Sequence, residues 1–273
     1  MSESEVISTT PAPRTRTSLA ADLRQCGLRA GMAVALHSSL SSLGWVSGGP
    51  VAVVQALMDV LTPEGTLVMP AHSGDYSDPA KWTNPPVPES WVQAVRDSMP
   101  AYDPCYTPTR GMGQIPETFR NFPGVLRSSH PAVSFAAWGK YASVITANHS
   151  LEYCLGENSP LARLYDLNAW VLLVGVGYDR NTALHLAEYR AVNPAPTIEG
   201  APVFEDGRRV WKNYPDIEAN SDIFPEIGAD MEWESNRVLF GEVGSAQARL
   251  FRIREAVDFA VAWLDRQRAN PQT

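Results

Sequence analysis

Met32-Ala33-Val34-Ala35-Leu36-His37-Ser38-Ser39-Leu40-Ser41-Ser42-Leu43-Gly44 is a short apolar run that opens into a serine-rich loop closed by glycine. Met32 to Leu36 has the length of a buried strand and is too short for a helix. Beyond Gly48-Gly49, Pro50 stands where the first helical turn tolerates a missing N–H, which predicts a helix over Val51 to Leu61. Pro63-Glu64-Gly65 then turns the chain into a second strand, Thr66 to Met69. Strand, loop, helix, turn and strand in that order predict an α/β layered fold with much parallel sheet.

Working outward, Ser18 is expected to cap a helix over Leu19 to Cys26 stopped by Gly27, and residues 1–16 read as a disordered lead. Val133 to Ala137 and Trp170 to Val176 are further strand candidates. A helix from about Asn181 to Arg190 follows the second, and Ile253, Val257, Ala260, Val261 and Leu264 recur at helical spacing near the end. Two stretches carry little regular signal, about 71–108 and 193–247, and loops of that length are usually functional when ordered. No composition break divides the chain, so residues 17–273 are expected to form one domain.

The chain has 273 residues with 30 acidic and 22 basic side chains, a formal charge of −8. That balance argues against nucleic acid and anionic membranes as partners and leaves cationic ones open. Seven carboxylates fall between Asp216 and Glu234 with no Lys or Arg among them, so the rest of the chain is nearly neutral. Cys26, Cys105 and Cys154 are odd in number and unpaired in spacing, which fits neither a disulfide framework nor a zinc site. With no signal-peptide run and no apolar stretch of membrane-helix length, a cytoplasmic protein is expected.

Among five histidines, His185 is the most suggestive. It follows the strand Trp170 to Val176, where open α/β sheets place their ligands. Glu188, three residues on, shares its helix face and can hold the second ring nitrogen. The pair suits a general base, and equally a helix-surface contact, a hydrogen-bonded core histidine or two metal ligands. A His-Glu-x-x-His repeat and ligand-spaced Cys/His clusters are lacking, so no metal is expected. The His37 to Gly44 loop could offer N–H groups and hydroxyls to phosphates or simply cap its own helix. It lacks P-loop spacing, and no nucleophile elbow surrounds Ser38 or Ser39. His130-Pro131-Ala132-Val133-Ser134-Phe135 reads as a turn entering a strand.

In order along the chain, several segments together resemble the aminoglycoside N3-acetyltransferase family, which is distinct in fold from the GNAT acetyltransferases. They are the His37 to Gly44 loop with Gly48-Gly49-Pro50, Pro63 to Leu67, Met69-Pro70-Ala71-His72-Ser73, Thr107 to Gly113, Arg127 to Pro131, Asn158-Ser159-Pro160-Leu161 and Thr182 to Glu188. The resemblance implies a three-layer α/β/α sandwich, acetyl-CoA as cosubstrate, and acetyl transfer to an amine of an aminocyclitol antibiotic. It implies His185 as the catalytic histidine with Glu188 as its carboxylate. His37, Ser38, Ser39, Leu40, Ser41 and Gly44, with Arg110, Met112 and Gly113, would bind coenzyme, as would His130, Pro131, Ser134 and Phe135 near the pantetheine arm. Loop amides near Ser38 and Ser39 would serve the oxyanion.

Because the substrate of such an enzyme is polycationic, the acidic segment gains a reading. Asp216, Glu218 and Asp222, with His72, Asp75, Asp78 and Asp179, would line the acceptor site. A solvated acidic helix face is the competing reading. A monomer or homodimer is expected. Three other activities fit the residues: acylation of a non-antibiotic amine, metal-dependent amide hydrolysis through His185 and Glu188, and ligand binding without catalysis.

Overall fold

In the computed structural model, which describes Glu3 to Ala269, a seven-stranded mixed sheet forms the middle layer. Its strands are β1 (Ala33–Ser38), β2 (Thr66–Pro70), β3 (Leu126–Arg127), β4 (Phe135–Gly139), β5 (Trp170–Val174), β8 (Leu239–Val243) and β9 (Ala246–Arg252). A separate hairpin pairs β6 (Pro196–Glu205) with β7 (Arg208–Ile217). The sheet order is β3-β4-β2-β1-β5-β9-β8, parallel only across β2, β1 and β5.

Side chains alternate across these central strands and divide the core into two. Val34, Leu36, Leu67, Leu172 and Val174 pack on one face with α2 (Arg16–Gln25) and α3 (Gly49–Leu61). Ala35, Val68, Val171 and Leu173 pack on the other with α7 (Pro160–Asp166), α8 (His185–Arg190), α9 (Phe224–Ser235) and α10 (Ile253–Ala269). Burial on both faces is why these strands are continuous apolar runs. The three-layer α/β/α arrangement is thus the observed one.

Gly139 pins one register: it lies opposite Thr66 at φ +100°, and a Cβ there would sit 2.1 Å from the Gly65 carbonyl oxygen. Gly139→Ala is therefore expected to cost about 3 kcal/mol or more, through both strained φ and displaced backbone. Urea unfolding checks this, and a midpoint equal to wild type would refute it.

Several sequence expectations are corrected. The lead is not wholly irregular: α1 (Glu3–Thr9) is a helix and Arg14 bridges to Val46, while residues 1 and 2 lie outside the described residues. α2 starts at Arg16 because Thr15, not Ser18, is its N-cap, with Ser18 completing a capping box. β4 is antiparallel and shifted toward Gly139. The stretch 71–108 contains α4 (Val92–Ser98) and short 3-10 turns, and 193–247 contains the hairpin, α9 and β8. α5 (Gln114–Phe119) and α6 (Ala142–Thr146) complete the helices.

Candidate active site

Three adjacent parallel strands bring three histidines to one end of the sheet. His37 lies in β1, His72 follows β2, and His185 begins α8 after β5. Chain direction diverges here, since β2 lies on one side of β1 and β5 on the other, and such switch points open a crevice at the strands' C-terminal ends. The crevice is a cavity of about 920 Å³ whose wall includes all three histidines. Its other walls come from the serine loop, the start of α3 at Gly49 and Pro50, and the Gly111 to Pro116 segment.

His185 Nδ1 lies 2.6 Å from Glu188 Oε2. The other carboxylate oxygen of Glu188 accepts the Asn220 N–H at 2.7 Å, so a buried carboxylate is fixed from two sides. With Glu188 an acceptor, Nδ1 carries a proton and Nε2 keeps its lone pair, the tautomer a general base needs. The Phe224 ring packs edge-on at 4.8 Å and restricts the imidazole further. His37 and His72 differ from this. Burial first, and the charge of His185 second, push both down to about 3, so both rings stay neutral at neutral pH.

The family model for aminoglycoside 3-N-acetyltransferases matches residues 35–265. The chain belongs to that family of acyltransferases. It is 52% identical over 260 residues to the SPbeta prophage-derived aminoglycoside N(3')-acetyltransferase-like protein YokD of Bacillus subtilis, covering 95% of each chain. It is 38% identical to aminoglycoside N(3)-acetyltransferase VII of Streptomyces paromomycinus over 97% of this chain and 96% of that one. The YokD crystal structure superposes with a TM-score of 0.95 at 50% identity, covering 97% of this chain and 98% of the other. AAC-IIIb in binary complex with CoASH gives 0.84 at 31% identity, covering 94% and 98%. AAC-VIa bound to sisomicin gives 0.85 at 32%, covering 94% and 99%.

In this acyltransferase the cavity wall gathers His37, Ser38, Ser39, Leu40, Ser41, Gly44, Met112 and Gly113 from the set read as coenzyme-binding. Arg110 stands off the wall; its N–H donates to the His72 carbonyl and its guanidinium faces Asp75 at 3.7 Å. His130, Pro131, Ser134 and Phe135 are not on the wall either. His130 Nδ1 accepts the Ala132 and Val133 N–H groups, Ser134 donates to the Ala71 carbonyl, and Phe135 is in the core. His130 and Pro131 lie in a buried turn that leads through Ser134 into β4 at Phe135. Of the loop amides read as oxyanion donors, the Ser39 N–H donates to the Val174 carbonyl at 3.0 Å.

Of the residues read as acceptor-binding, His72 and Asp179 line the cavity. Asp78 is instead held by Arg96 and caps Ala80 N–H. Asp216 is buried and accepts from Tyr189 OH at 2.6 Å and the Ile217 N–H. Glu218 and Asp222 are exposed and lie on either side of Ser221, which is on the wall. Trp45, Arg180 and Ser221 line the cavity and were not anticipated; Arg180, after β5 at the switch point, carried the clearest positional signal. Among the described residues no group of three or more His, Cys, Asp or Glu could hold a metal ion, and no helix is long and apolar enough to cross a membrane.

Proposed function

We propose that the protein transfers acetyl from acetyl-CoA to the 3-amine of an aminocyclitol antibiotic, with His185 as general base. The observation that carries this reading is His185 on the wall of a cavity large enough for two substrates, held from behind by the buried Glu188. The acceptor ammonium first releases one proton to solvent; His185 Nε2 then takes a proton from the neutral amine as its nitrogen forms the bond to the thioester carbon. The carbonyl pair moves to oxygen. It returns as the C–S bond breaks, and the thiolate takes the proton that His185 holds. Glu188 orients the ring and stabilises the imidazolium. No acyl-enzyme is needed, because an amine attacks a thioester directly. CoASH in AAC-IIIb and sisomicin in AAC-VIa support the two ligand classes.

The test is a panel of aminoglycosides assayed for release of CoA thiol, with the acetylated position read by NMR. Thiol release matched by acetylation at N3 is expected; no release with any aminoglycoside would overturn the reading.

Acceptor docking is assigned to Asp179 on the wall and to Asp222 beside Ser221. Asp179→Asn with Asp222→Asn is expected to raise the KM for the aminoglycoside roughly fivefold, the scale of two partly exposed charges, and to flatten its dependence on salt. Asp216→Asn should instead lower stability and leave KM alone. An unchanged KM and salt response in the double variant would remove this assignment.

A further inference from the structure

The mechanism needs a donor for the thioester oxygen; among the loop amides the Ser39 N–H is already engaged by Val174, and a side-chain donor can serve beside or in place of the others. His72 is such a side chain, on the wall and at the same strand ends as His185. Its Nε2 is buried with no hydrogen-bond partner. A buried orphan lone pair costs less than a buried orphan N–H, which places the ring proton on Nδ1. Nδ1 is then the nitrogen left to face the cavity, since the ring itself is only partly buried. The edge-on contact with Phe135 at 5.4 Å and the short backbone tie from Arg110 N–H to the His72 carbonyl hold the residue in place.

Building on the acetyl-transfer reading above, we propose that His72 is a second catalytic residue, whose Nδ1–H donates to the thioester carbonyl oxygen as it becomes an oxyanion. The ring's neutrality fits this role. Burial, then the charges of His185, His37, His149 and Arg127, all oppose its protonation, and its value falls to about 3. A neutral donor does not repel the incoming ammonium and does not compete with His185 for its proton. His185 and His72 thus divide the work between base and electrophile, one ring accepting through Nε2 and the other donating through Nδ1.

The test compares His72→Phe, which fills the space without a donor, with His72→Asn, which restores an N–H, in the full chain. Rates are followed by thiol release with acetyl-CoA and the best aminoglycoside of the panel, and CoA affinity by calorimetry. His72→Phe is expected to lower kcat about a hundredfold, the scale of losing one oxyanion donor. KM for the amine and Kd for CoA should stay within about threefold, since the contact strengthens only in the transition state. His72→Asn should recover most of the rate. Neither variant should move the acidic limb of the kcat/KM profile, because His72 does not titrate there. A raised amine KM at unchanged kcat would make His72 a substrate contact and overturn the proposal, as would a displaced acidic limb or a failure of asparagine to rescue. If wild-type protein releases no thiol with any acceptor, the acetyl-transfer reading itself fails, a result distinct from all of these.

Discussion

Replacement of His185 by alanine is expected to lower kcat by about three orders of magnitude, in the middle of the range for losing a positioned general base. Affinity for coenzyme should change little, because in the proposed mechanism the imidazole meets the acceptor amine rather than the nucleotide. At about 1.36 kcal/mol per factor of ten, the loss is roughly 4 kcal/mol of transition-state stabilisation. Glu188→Gln gives the sharper companion result. In the native protein one carboxylate oxygen serves His185 Nδ1–H and the other serves the fixed Asn220 N–H. A carboxamide has one oxygen for these two donors. If its oxygen keeps Asn220, its NH2 faces Nδ1 and forces the proton onto Nε2, which then cannot accept from the amine. If it turns the other way, two buried N–H donors oppose each other. Glu188→Gln should therefore lose more rate than its small change in shape implies, and at least as much as Glu188→Ala. Steady-state kinetics with calorimetric CoA binding decides both; near-normal turnover in His185→Ala would sink the general-base assignment.

How far the sequence showed this depends on what each residue packs against. β1, β2 and β5 were legible because burial on both faces writes an unbroken apolar run. The β6–β7 hairpin was not, since much of both strands is exposed or half-buried and Pro202 and Pro215 interrupt them. Its one strong cue was the turn Asp206-Gly207, both residues at positive φ. His185 and Glu188 were legible as a pair because three residues of helix bring them together. Trp45, Arg180 and Ser221 reach the same cavity from three separate segments, which no local spacing reveals. The acidic segment misled for a related reason. Its carboxylates look unpartnered in sequence, yet Asp216 holds Tyr189, Asp230 accepts from Trp263 Nε1, and Glu232 pairs with Arg249, all across long sequence separations. The surplus negative charge is thus partly architectural, and only its exposed members are free for a cationic substrate.

A steep loss of stability between pH 7 and pH 5 is the other large expected effect, and its source is the histidines outside the base role. His37, His72, His130 and His149 are all pushed down by burial before any other cause, His37 and His72 to about 3 and His149 to about 4. The hydrogen bonds of His130 also require the neutral ring. His130 Nδ1 accepts two backbone N–H groups while Nε2 faces the Leu151 carbonyl, so protonation would set a third N–H against the first two. His149 sits between Ser128 Oγ and the Cys154 carbonyl, where the hydroxyl can adapt to either ring state and burial keeps it neutral. For a histidine kept neutral in the fold, the unfolded chain binds the extra proton first, so its stabilisation is present above the ordinary value of 6.5 and lost as pH falls toward 3 or 4. At pH 5 each such site costs about 2 kcal/mol, and the three most buried ones, His37, His130 and His149, together roughly 5 kcal/mol after relaxation, comparable with the whole stability of a typical domain. Below about 4.5 the loss continues through Glu117, where burial is outweighed by the Arg120 and Thr109 hydrogen bonds and the carboxyl lies at about 2. Calorimetric melting at pH 7, 6 and 5 should thus show Tm falling by about 10 °C or more, at about 2–4 °C per kcal/mol for a chain of this size. A Tm that stays level to pH 5 and drops only near pH 4 would assign the acid lability to carboxylates and remove the buried histidines as its cause.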